Sequence, residues 1–382
     1  MENLFKNIVD TIPADSPTKI IQTKKKLRIK IGLDPTSAKL HLGHLVILKK
    51  LRELQDQGHF VLCVIGDFTG QIGDPTGKKN TREKLNYKIT RDNCKTYEEQ
   101  ILKILKKNNT QFFYNSSWLS KLTSAHIIEL LSICTTARIL ERKDFKQRIA
   151  EKNPITLSEL IYPILQGYDS VILAADIEIG GMDQKFNILI GRFIQKKYNQ
   201  KQQIALLLPL LPGTDGERKM SKSLLNCINI TETPKELFGK IMSINDKCTE
   251  IYYDYLNIND TAKTPLNSKK NLAEMLVTLL YDVNTAIQER TSFQLQYTEK
   301  QNPEKIPCFY IKIGKGEKIT ILELLKETKL FTSSKEIKRL ITQKAIKINN
   351  TVINEYDFIT SVNSKSVLQV GKHKFLEIIY TV

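Results

Sequence analysis

Two histidines separated by two residues, His41 and His44, stand between a predicted strand and a predicted helix. Residues 27–33 alternate in polarity like a strand, and apolar residues after His44 recur at helical spacing until Gly58. The free N–H groups and the dipole of a helix N-terminus favour negative charge, so imidazoles at this position indicate anion binding. Gly43 adds no side chain, which leaves room for a ring or a phosphate to approach the backbone.

A second segment with chemical potential lies far downstream, at Lys219-Met220-Ser221-Lys222-Ser223. It follows a predicted strand, residues 204–211, and a turn, residues 212–216. Two lysines with small hydroxyl residues between them suit a loop that closes on pyrophosphate. Each motif alone is weak evidence, because short histidine patterns and charge runs are usually ordinary surface features. Together, at the carboxyl ends of two predicted strands, they indicate an anion site at the edge where open parallel sheets place their ligands.

A glycine-rich segment, Gly66–Gly77, follows another predicted strand at residues 60–65. Its four glycines allow the backbone to wrap closely around a ligand. Taken alone, a glycine-rich segment of this kind is about as consistent with an ordinary turn as with a ligand-binding loop. At the end of a parallel strand beside the first motif, the segment is predicted to be a binding loop. Asp74 is its candidate acceptor for an ammonium group, whereas Asp67 suits a helix cap.

Tyr162, Gln166 and Asp169 form a polar stripe on an otherwise apolar predicted helix, at positions i, i+4 and i+7. Buried polar groups need partners, so two interpretations stay open: a mutually hydrogen-bonded helix face, or a pocket for a small polar ligand. After a predicted strand at residues 174–177, the turn Gly180–Gln184 opens another helix. A carboxylate in such a turn, here Asp183, suits ribose hydroxyls.

The composition describes a soluble globular protein: 382 residues, 41% hydrophobic and 26% charged. A net charge of +17 indicates a polyanionic partner. Lys, Ile and Asn are abundant throughout the chain, so part of this charge reflects the overall composition and not a binding surface. Six cysteines without a Cys-x-x-Cys pair predict a reducing compartment and no metal site. No signal peptide, transit peptide or membrane span is predicted, so we expect a protein that works where it is made.

The rest of the first 313 residues is predicted to be mainly helical. Residues 81–150 are interpreted as helices, with Trp118 as a core residue. Apolar residues cover more than one face of Ile127–Leu140, which predicts a central helix or a subunit interface. Beyond residue 228 the sheet pattern ends, and residues 229–313 are predicted to form a helical domain that opens with a capping box at Thr233.

Residues 314–382, introduced by Gly314 and Gly316, carry 12 Lys and Arg against 7 Asp and Glu. Ser333 is predicted to cap a helix with one apolar and one basic side, and Asn349-Asn350 a hairpin turn. A basic capped helix on small strands resembles the S4 RNA-binding module, although a solvated basic face on a generic α/β module would share this charge pattern. The basic residues are Lys335, Lys338 and Arg339.

The two opening motifs, in this order, resemble the HIGH and KMSKS signatures of class I aminoacyl-tRNA synthetases. From about residue 25 to its end, the chain resembles bacterial-type tyrosyl-tRNA synthetases of the branch with an intact Lys-Met-Ser-Lys-Ser loop. The resemblance implies a Rossmann-like α/β catalytic domain at residues 1–228, an α-helical anticodon-side domain at 229–313 and an S4-like α+β domain at 314–382. It also implies a homodimer in the cytoplasm or the plastid stroma.

The activity implied is that of a tyrosine–tRNA ligase, which forms tyrosyl-adenylate from L-tyrosine and ATP and then charges tRNA(Tyr). By matching motif, Asp169 resembles the acceptor of the tyrosine hydroxyl, and Tyr162, Gln166 and Asp74 resemble its ammonium cage. The residues implied for ATP bind its phosphates or its nucleoside. They are Thr36, His41, His44, Lys219 and Lys222 for the phosphates, and Asp34, Gly43, Gly181, Asp183 and Gln184 for the nucleotide. Mg²⁺ is expected to accompany ATP, without a dedicated carboxylate cage in the protein.

One position departs from the other bacterial branch, which has a tyrosine where this chain has Lys30. That tyrosine helps to hold the substrate hydroxyl, so the second hydroxyl partner in this chain is left open. Three other functions could share part of this pattern. A small-molecule nucleotidyltransferase needs neither the lysine loop nor a basic tail. A non-catalytic RNA-binding or splicing factor does not need intact catalytic motifs, and the stripe and the tail disfavour a tryptophan-specific relative.

Overall fold

The computed structural model describes residues 6–16, 25–76, 87–295, 307–312, 319–328, 330–331, 333–355, 359–360, 365–371 and 374–381. The chain divides into two compact units, Met1–Ile287 and Gln288–Val382. The predicted domain boundaries at 228/229 and 313/314 stay predictions. Gly77, Gly314 and Gly316 lie outside the described residues.

The first unit is built on a six-stranded sheet in the order β1-β6-β5-β2-β3-β4. All neighbouring strands are parallel except β1, which pairs antiparallel with β6. Strands β2 and β3 pair in register from Arg28 with Phe60 to Leu33 with Ile65. The strands are β1 Asp10–Ile12, β2 Arg28–Leu33, β3 Phe60–Ile65, β4 Thr110–Tyr114, β5 Ile177–Gly181 and β6 Ile204–Leu208.

Helices follow most strands of the first unit and bury apolar faces against the sheet or one another. In α1 the fully buried side chains include Leu45, Leu48, Leu51 and Leu54, each of which contributes roughly 1.5–3 kcal/mol by leaving water. The helices are α1 Leu42–Asp56, α2 Tyr87–Cys94, α3 Tyr97–Leu102, α4 Ser116–Leu119, α5 Ser124–Ser132, α6 Thr136–Leu140, α7 Lys143–Ala150, α8 Leu157–Ile172, α9 Lys185–Lys197, α10 Pro234–Ser243, α11 Asp246–Tyr255 and α12 Pro265–Leu280. A further helix, α13 Val283–Phe293, contains the division between the two units.

The predicted parallel-sheet core is confirmed, and three local predictions are wrong. Strand β4 lies inside the segment predicted to be helical, because Phe112 to Tyr114 pair with β3 at the sheet edge. The strand predicted at 174–177 begins only at Ile177, since Ala174 adopts a positive φ of 42°. The helix predicted over Ile127–Leu140 is broken, and Thr135 caps a new helix by accepting from the amide of Arg138.

The described part of the second unit is α+β. Strands β7 Cys308–Lys312, β9 Ile346–Ile348, β10 Thr351–Val352, β12 Lys365–Val370 and β13 Lys374–Thr381 form one sheet in the order β10-β9-β12-β13-β7, and β8 Ile319–Thr320 pairs with β11 Ile359–Thr360. The predicted hairpin is confirmed: Asn349 and Asn350 both have positive φ, as a type I′ turn requires. Helices α14 Ile321–Glu327 and α15 Ser334–Thr342 contribute Ile321, Ile337 and Ile341 to its core.

Candidate active site

One cavity of about 370 Å³ lies at the carboxyl ends of β2, β3, β5 and β6. Its walls contain every residue of the first unit that the sequence nominated for catalysis or for substrate binding. These residues are Asp34, Thr36, His41, Gly43, His44, Asp74, Tyr162, Gln166, Asp169, Gly181, Asp183, Gln184, Lys219 and Lys222. The cavity has the size of a small-molecule site.

The two histidines cap helix α1 and hold each other in place. His41 is the N-cap, and its Nδ1 accepts from the amide of Gly43 at 3.2 Å. The Nδ1 of His44 accepts from the amide of His41 at 3.2 Å. A neutral imidazole that accepts at Nδ1 carries its proton at Nε2, so this network assigns an Nε2–H donor to each ring.

Both imidazoles are neutral at physiological pH. Burial, the neighbouring His44 and the two loop lysines lower the pKa of His41 to about 2. Burial and Lys222 lower the pKa of His44 to about 4. The rings therefore act towards an anion as hydrogen-bond donors, and the positive charge of the site resides on the lysines.

Gly43 is required by this cap. A Cβ at residue 43 would lie 2.9 Å from Cε1 and 3.0 Å from Nδ1 of His41. These contacts are shorter than side chains tolerate, so any larger residue would push the His41 ring out of its capping position.

The lysine loop is anchored beside the histidine turn. After the loop, the chain pairs with the turn: the amide of Leu42 donates to Ile228 O at 2.9 Å, and that of Ile230 donates to Leu40 O at 3.0 Å. Within the loop, the amide of Met220 donates to Leu211 O at 2.8 Å. The two sequence motifs, nearly 180 residues apart, are thus held together by main-chain hydrogen bonds.

The two lysines of the loop reach different parts of the cavity wall. Lys222 Nζ donates to the hydroxyl of Ser37, and Lys219 Nζ donates to Asp183 Oδ2 at 2.9 Å. Burial lowers the pKa of Lys222 to about 8. Lys222 therefore remains largely protonated at pH 7 and loses its charge as the pH rises through 8.

Asp34 lies between strand β2 and helix α1 and accepts two hydroxyl donors. Thr69 Oγ1 donates to its Oδ1 at 2.8 Å, and Tyr162 Oη donates to its Oδ2 at 2.9 Å. Burial raises its pKa to about 7 in spite of these donors, and the charges of Asp74 and Asp169 add to the effect. Asp34 thereby orients Tyr162 across the cavity.

Asp169 forms a buried acceptor on helix α8. Trp118 Nε1 donates to its Oδ1 at 2.8 Å, and Asn115 Nδ2 donates to its Oδ2 at 3.3 Å. Each carboxylate oxygen has two lone pairs, so the group can accept a further hydrogen bond from a ligand. Burial raises its pKa to about 6, so the carboxyl is mostly ionised at pH 7.

Asp74 is held in the binding loop by several donors. The amide and hydroxyl of Thr76 donate to its Oδ1 at 2.9 and 2.6 Å, and Gln184 Nε2 donates to its Oδ2 at 2.6 Å. Arg142 lies 3.9 Å away. This geometry places Gln184 next to the predicted ammonium cage, and its assignment to the nucleotide stays a prediction.

Gln166 gives its amide nitrogen to the protein and leaves its oxygen for a ligand. Its Nε2 donates to Glu178 Oε1 at 3.2 Å, whereas its Oε1 is buried and has no partner among the described residues. The stripe predicted on helix α8 is therefore tied to other elements: Tyr162 to Asp34, Gln166 to strand β5, and Asp169 to the segment after β4.

No group of three or more His, Cys, Asp or Glu side chains suited to hold a metal ion occurs within the described ranges. Among the helices that the structure describes, none is sufficiently long and apolar to cross a membrane. In the second unit, Lys335, Lys338 and Arg339 lie on the exposed side of α15, opposite buried Ile337 and Ile341.

Comparison with known proteins identifies the family. Residues 22–294 match the family model for tRNA synthetases class I (W and Y). The chain is 42% identical over 400 residues to the tyrosine–tRNA ligase of Carboxydothermus hydrogenoformans, covering 100% of this chain and 97% of that protein. It is 43% identical to the tyrosine–tRNA ligase of Colwellia psychrerythraea, covering 94% of this chain and 92% of that protein.

The chain belongs to the tyrosine–tRNA ligase family of class I tRNA synthetases. Solved structures agree on the fold. The tyrosyl-tRNA synthetase of Archaeoglobus fulgidus, solved with L-tyrosine, superposes with a TM-score of 0.61 at 21% identity, covering 76% of this chain and 98% of that one. A truncated mitochondrial tyrosyl-tRNA synthetase of Aspergillus nidulans gives 0.62 at 19% identity, covering 78% and 92%.

Several residues that support this tyrosine–tRNA ligase site escaped the sequence reasoning. Trp118, which was interpreted as core, packs partly on apolar neighbours but also donates to Asp169, and Asn115 was not nominated. Both follow β4, the strand mistaken for helix. The aromatic run Phe112 to Tyr114 before a polar Asn-Ser-Ser turn was the signal that predicts a strand end.

Proposed function

We propose that this protein is a tyrosine–tRNA ligase that acts in two steps in the described cavity. Tyrosine and ATP first form tyrosyl-adenylate and pyrophosphate, and the tyrosyl group then passes to a terminal ribose hydroxyl of tRNA(Tyr). One observation carries the proposal: a buried hydroxyl acceptor, Asp169, and phosphate-binding groups around His41 and Lys222 line the same cavity. Family membership supports the reaction class.

Tyrosine is proposed to lie between helix α8 and the binding loop. Its phenol hydroxyl donates to Asp169, which retains acceptor capacity beside Trp118 and Asn115. Its ammonium group is bound by Tyr162, Gln166 and Asp74. The unpartnered Oε1 of Gln166 supports this orientation, because a buried acceptor without a donor is costly until a ligand supplies one.

ATP is proposed to lie across the histidine turn, with its ribose at Gly181 and Asp183. A side chain at residue 181 would lie 2.6 Å from Leu210 Cδ2 and 2.7 Å from Asp183 Oδ1, so only glycine leaves the ribose carboxylate in place. Asp34, Gly43 and Gln184 complete the nucleotide side. Mg²⁺ is proposed to enter the site together with ATP.

The chemistry of the first step needs positioning and charge rather than a protein nucleophile. The tyrosine carboxylate is already ionised and attacks the α-phosphorus, while the bond to pyrophosphate breaks. Thr36, the Nε2–H groups of His41 and His44, and the ammonium groups of Lys219 and Lys222 stabilise the charge that develops on the phosphates. Donors fixed in advance in a site that excludes water are the most effective form of such stabilisation.

RNA binding is proposed for the second unit. The exposed face of α15 presents Lys335, Lys338 and Arg339 on a helix whose other side is buried, an arrangement suited to phosphate contacts. Residues 314–382 are proposed to form an S4-like domain and residues 229–313 the anticodon-side helical domain, of which strand β7 near its end pairs with β13 of the second unit. The tRNA partner follows from the family's reaction.

A homodimer is proposed through α5 to α8. The side chains of Ile128 and Leu157 are 69% and 80% exposed, which is unusual for large apolar residues. Ile127 and Ile149 are exposed nearby in the same stretch of chain. No disulfide joins the six cysteines, all of which lie in the described residues, and we propose a reducing compartment, the cytoplasm or the plastid stroma.

The test of the proposed function is ATP–pyrophosphate exchange with each of the twenty amino acids in turn, followed by charging of tRNA. We expect exchange with tyrosine alone and transfer of tyrosine to tRNA(Tyr). Exchange with tryptophan instead, or nucleotidyl transfer to a small molecule without any amino acid, would refute the assignment.

A further inference from the structure

A lysine is completely buried behind the polar stripe of helix α8. Lys30, in the middle of strand β2, has no exposed side-chain surface. Its Nζ donates to Glu178 Oε1 at 3.0 Å, to Ser170 Oγ at 2.7 Å and to Gln166 O at 2.9 Å. A fully buried ammonium with three acceptors is held in one position, because each hydrogen bond offsets part of its lost hydration.

The partner of this lysine is equally constrained. Glu178 Oε1 accepts from Lys30 and from Gln166 Nε2, and Glu178 Oε2 accepts from Ser170 Oγ at 3.0 Å and from Gln203 Nε2. Four donors from strand β2, helix α8 and the segment before β6 surround one carboxylate. These donors hold the carboxylate in one position, and the pair forms a buried link between the sheet and helix α8.

The contacts of Lys30 bracket Asp169 on that helix. Gln166 and Ser170, which both accept from Lys30, lie three residues before and one residue after Asp169. The carboxyl of Asp169 accepts from Trp118 and Asn115 of the segment after β4, and it interacts with the charges of Lys30 from β2 and Glu178 from β5. Its own charge contributes to the raised pKa values of Asp34 and Tyr162. Lys30 is the cation of this set.

We propose that Lys30 is a positioning residue for the tyrosine hydroxyl: paired with Glu178, it maintains Asp169 as the ionised acceptor of the phenol proton. This inference rests on the proposed function. It also assigns a role to the residue that stands, in this chain, where the other bacterial branch has a tyrosine. Lys30 acts through the charge of Asp169 and not by contact with the substrate.

The electrostatics of Asp169 agree in sign with this role. Burial raises the pKa of Asp169 to about 6, and the charge of Lys30 is the largest influence that opposes the rise, ahead of the hydrogen bonds from Trp118 and Asn115. Tyrosine recognition should therefore fade as the pH falls through about 6. Without Lys30 the pKa of Asp169 rises further, so the loss should begin at higher pH.

The experiment compares Lys30→Met, the charge-free pair Lys30→Met/Glu178→Gln and the control Lys50→Met. Lys50 is also buried and paired, with Glu53 on α1, but it is not among the residues that line the cavity. The single variant leaves Glu178 buried without its cation, so it serves only if it folds. The double variant removes both charges and keeps nearly the same volume. The readouts are the melting temperature and the pH profile of kcat/KM for tyrosine in ATP–pyrophosphate exchange.

For Lys30→Met we expect the acid limb of the tyrosine profile to move upward by about one pH unit, the usual influence of one nearby opposite charge. At pH 6 this corresponds to a loss of several-fold in kcat/KM for tyrosine, with KM for ATP changed less than twofold. The double variant should show a smaller upward shift, because Glu178 raises the pKa of Asp169 and its removal offsets part of the loss of Lys30, which has the larger influence. Lys50→Met should lower the melting temperature and leave the limb in place. Phenylalanine lacks the hydroxyl, so any exchange measured with phenylalanine should be the same with and without Lys30.

An acid limb at the wild-type position in the folded double variant would overturn the inference, since Lys30 would then be only structural. An equal shift in Lys50→Met would overturn it as well. The failure of the proposed function is a separate result, because wild-type protein would then show no tyrosine-dependent exchange at all.

Discussion

The ammonium of Lys219 donates to Asp183 Oδ2 at 2.9 Å, so a predicted phosphate ligand and a predicted ribose ligand are partners of each other. The pair bridges the lysine loop and the turn after β5. When a ribose hydroxyl donates to the same oxygen of Asp183, Lys219 must release or share it. Release would free Lys219 to move towards the phosphates, which couples nucleotide binding to the position of the loop.

Lys219→Ala should therefore slow adenylate formation without weakening ATP binding. The forward rate should fall by roughly two orders of magnitude, the scale of one lost electrostatic contact to the transition state. The ATP dissociation constant should stay within about fivefold or decrease, because a partly exposed ion pair that competes with ribose stabilises the free state by at most about 1 kcal/mol. Pre-steady-state adenylate formation over a series of ATP concentrations measures both quantities.

Asp183→Asn is the matched control for Lys219→Ala. It removes the charge of residue 183 and replaces one of its two acceptor oxygens by an amide donor, so ribose loses a charged acceptor and ATP should bind more weakly. A clear loss of ATP affinity in Lys219→Ala would show that Lys219 binds the nucleotide in the ground state.

Lys222 should determine an alkaline limit of the reaction. Its pKa is lowered to about 8 by burial, and the protonated form is the one that stabilises pyrophosphate. The wild-type kcat/KM for ATP should therefore decrease as the pH rises through about 8. Lys222→Arg keeps its charge throughout this range and should lose that limb, whereas Lys222→Ala should lower the rate by roughly two to three orders of magnitude at pH 7.

The measurement is kcat/KM for ATP between pH 6.5 and 9.5 at saturating tyrosine, since this parameter then reports groups of the tyrosine-bound enzyme before ATP binds. An alkaline limb that persists unchanged in an active Lys222→Arg variant would assign it to another group. If Lys222→Ala raised only the ATP dissociation constant, the loop would be a passive clamp.

Trp118 should contribute to tyrosine recognition through its indole N–H. Trp118→Phe keeps the aromatic packing and removes the donor to Asp169 Oδ1, a hydrogen bond to a charged group worth about 1.5 kcal/mol or more. We expect KM for tyrosine to rise roughly tenfold and KM for ATP to stay constant. Asp169→Asn should weaken tyrosine binding more strongly and likewise spare the nucleotide, and equal effects on both substrates would contradict this division of the cavity.

The parallel sheet and the residues that line the cavity could be predicted from the sequence, for a physical reason. The histidine turn, the binding loop, the turn Gly180–Gln184 and the lysine loop each come at or after the end of a strand, and the carboxyl ends of parallel strands meet at one edge. The polar stripe is the exception, since Tyr162, Gln166 and Asp169 lie on helix α8 before β5. The periodic patterns of β2, α1 and β3 fixed those elements to within one or two residues. Apolar runs of this kind have one stable arrangement, since both faces of the sheet must be covered.

The pattern was insufficient where tertiary contacts decide the outcome. Strand β4 forms at the sheet edge because β3 offers it a partner, which no local pattern in a charged segment reveals. The ion pair of Lys30 with Glu178 joins residues 148 positions apart, and a lone lysine in a strand predicts exposure rather than burial. The contact of Gln184 with Asp74 spans 110 positions in the same way.

Ile128→Glu and Leu157→Glu should each disrupt the homodimer. Both side chains are largely exposed in one chain, so a charge there should hardly change the stability of the single chain. The same charge buried in an apolar interface should strongly destabilise the dimer. Sedimentation at micromolar concentration should show a dimer for the wild type and a monomer for the variants. Leu266→Glu, an exposed apolar residue on α12, is the control that should leave the mass unchanged, and a wild-type monomer would refute the proposal.

The basic face of α15 should act in tRNA charging and not in adenylate formation. Lys335→Ala/Lys338→Ala/Arg339→Ala removes three exposed charges and keeps the buried side of the helix, Ile337 and Ile341. KM for tRNA should rise, while tyrosine-dependent exchange should stay at the wild-type rate because every cavity residue lies before residue 224.

The salt dependence distinguishes phosphate contacts from a general loss of structure. Each lost phosphate contact should make the slope of log affinity against log salt shallower by about 0.7 to 0.9, so the triple variant should differ from wild type by about two. Lys326→Ala, which removes an exposed charge from α14, is the control and should change the slope by one contact at most. Removal of residues 314–382 should abolish most charging and spare exchange. Equal charging by the truncated and the full chain would contradict the assignment of this region to RNA.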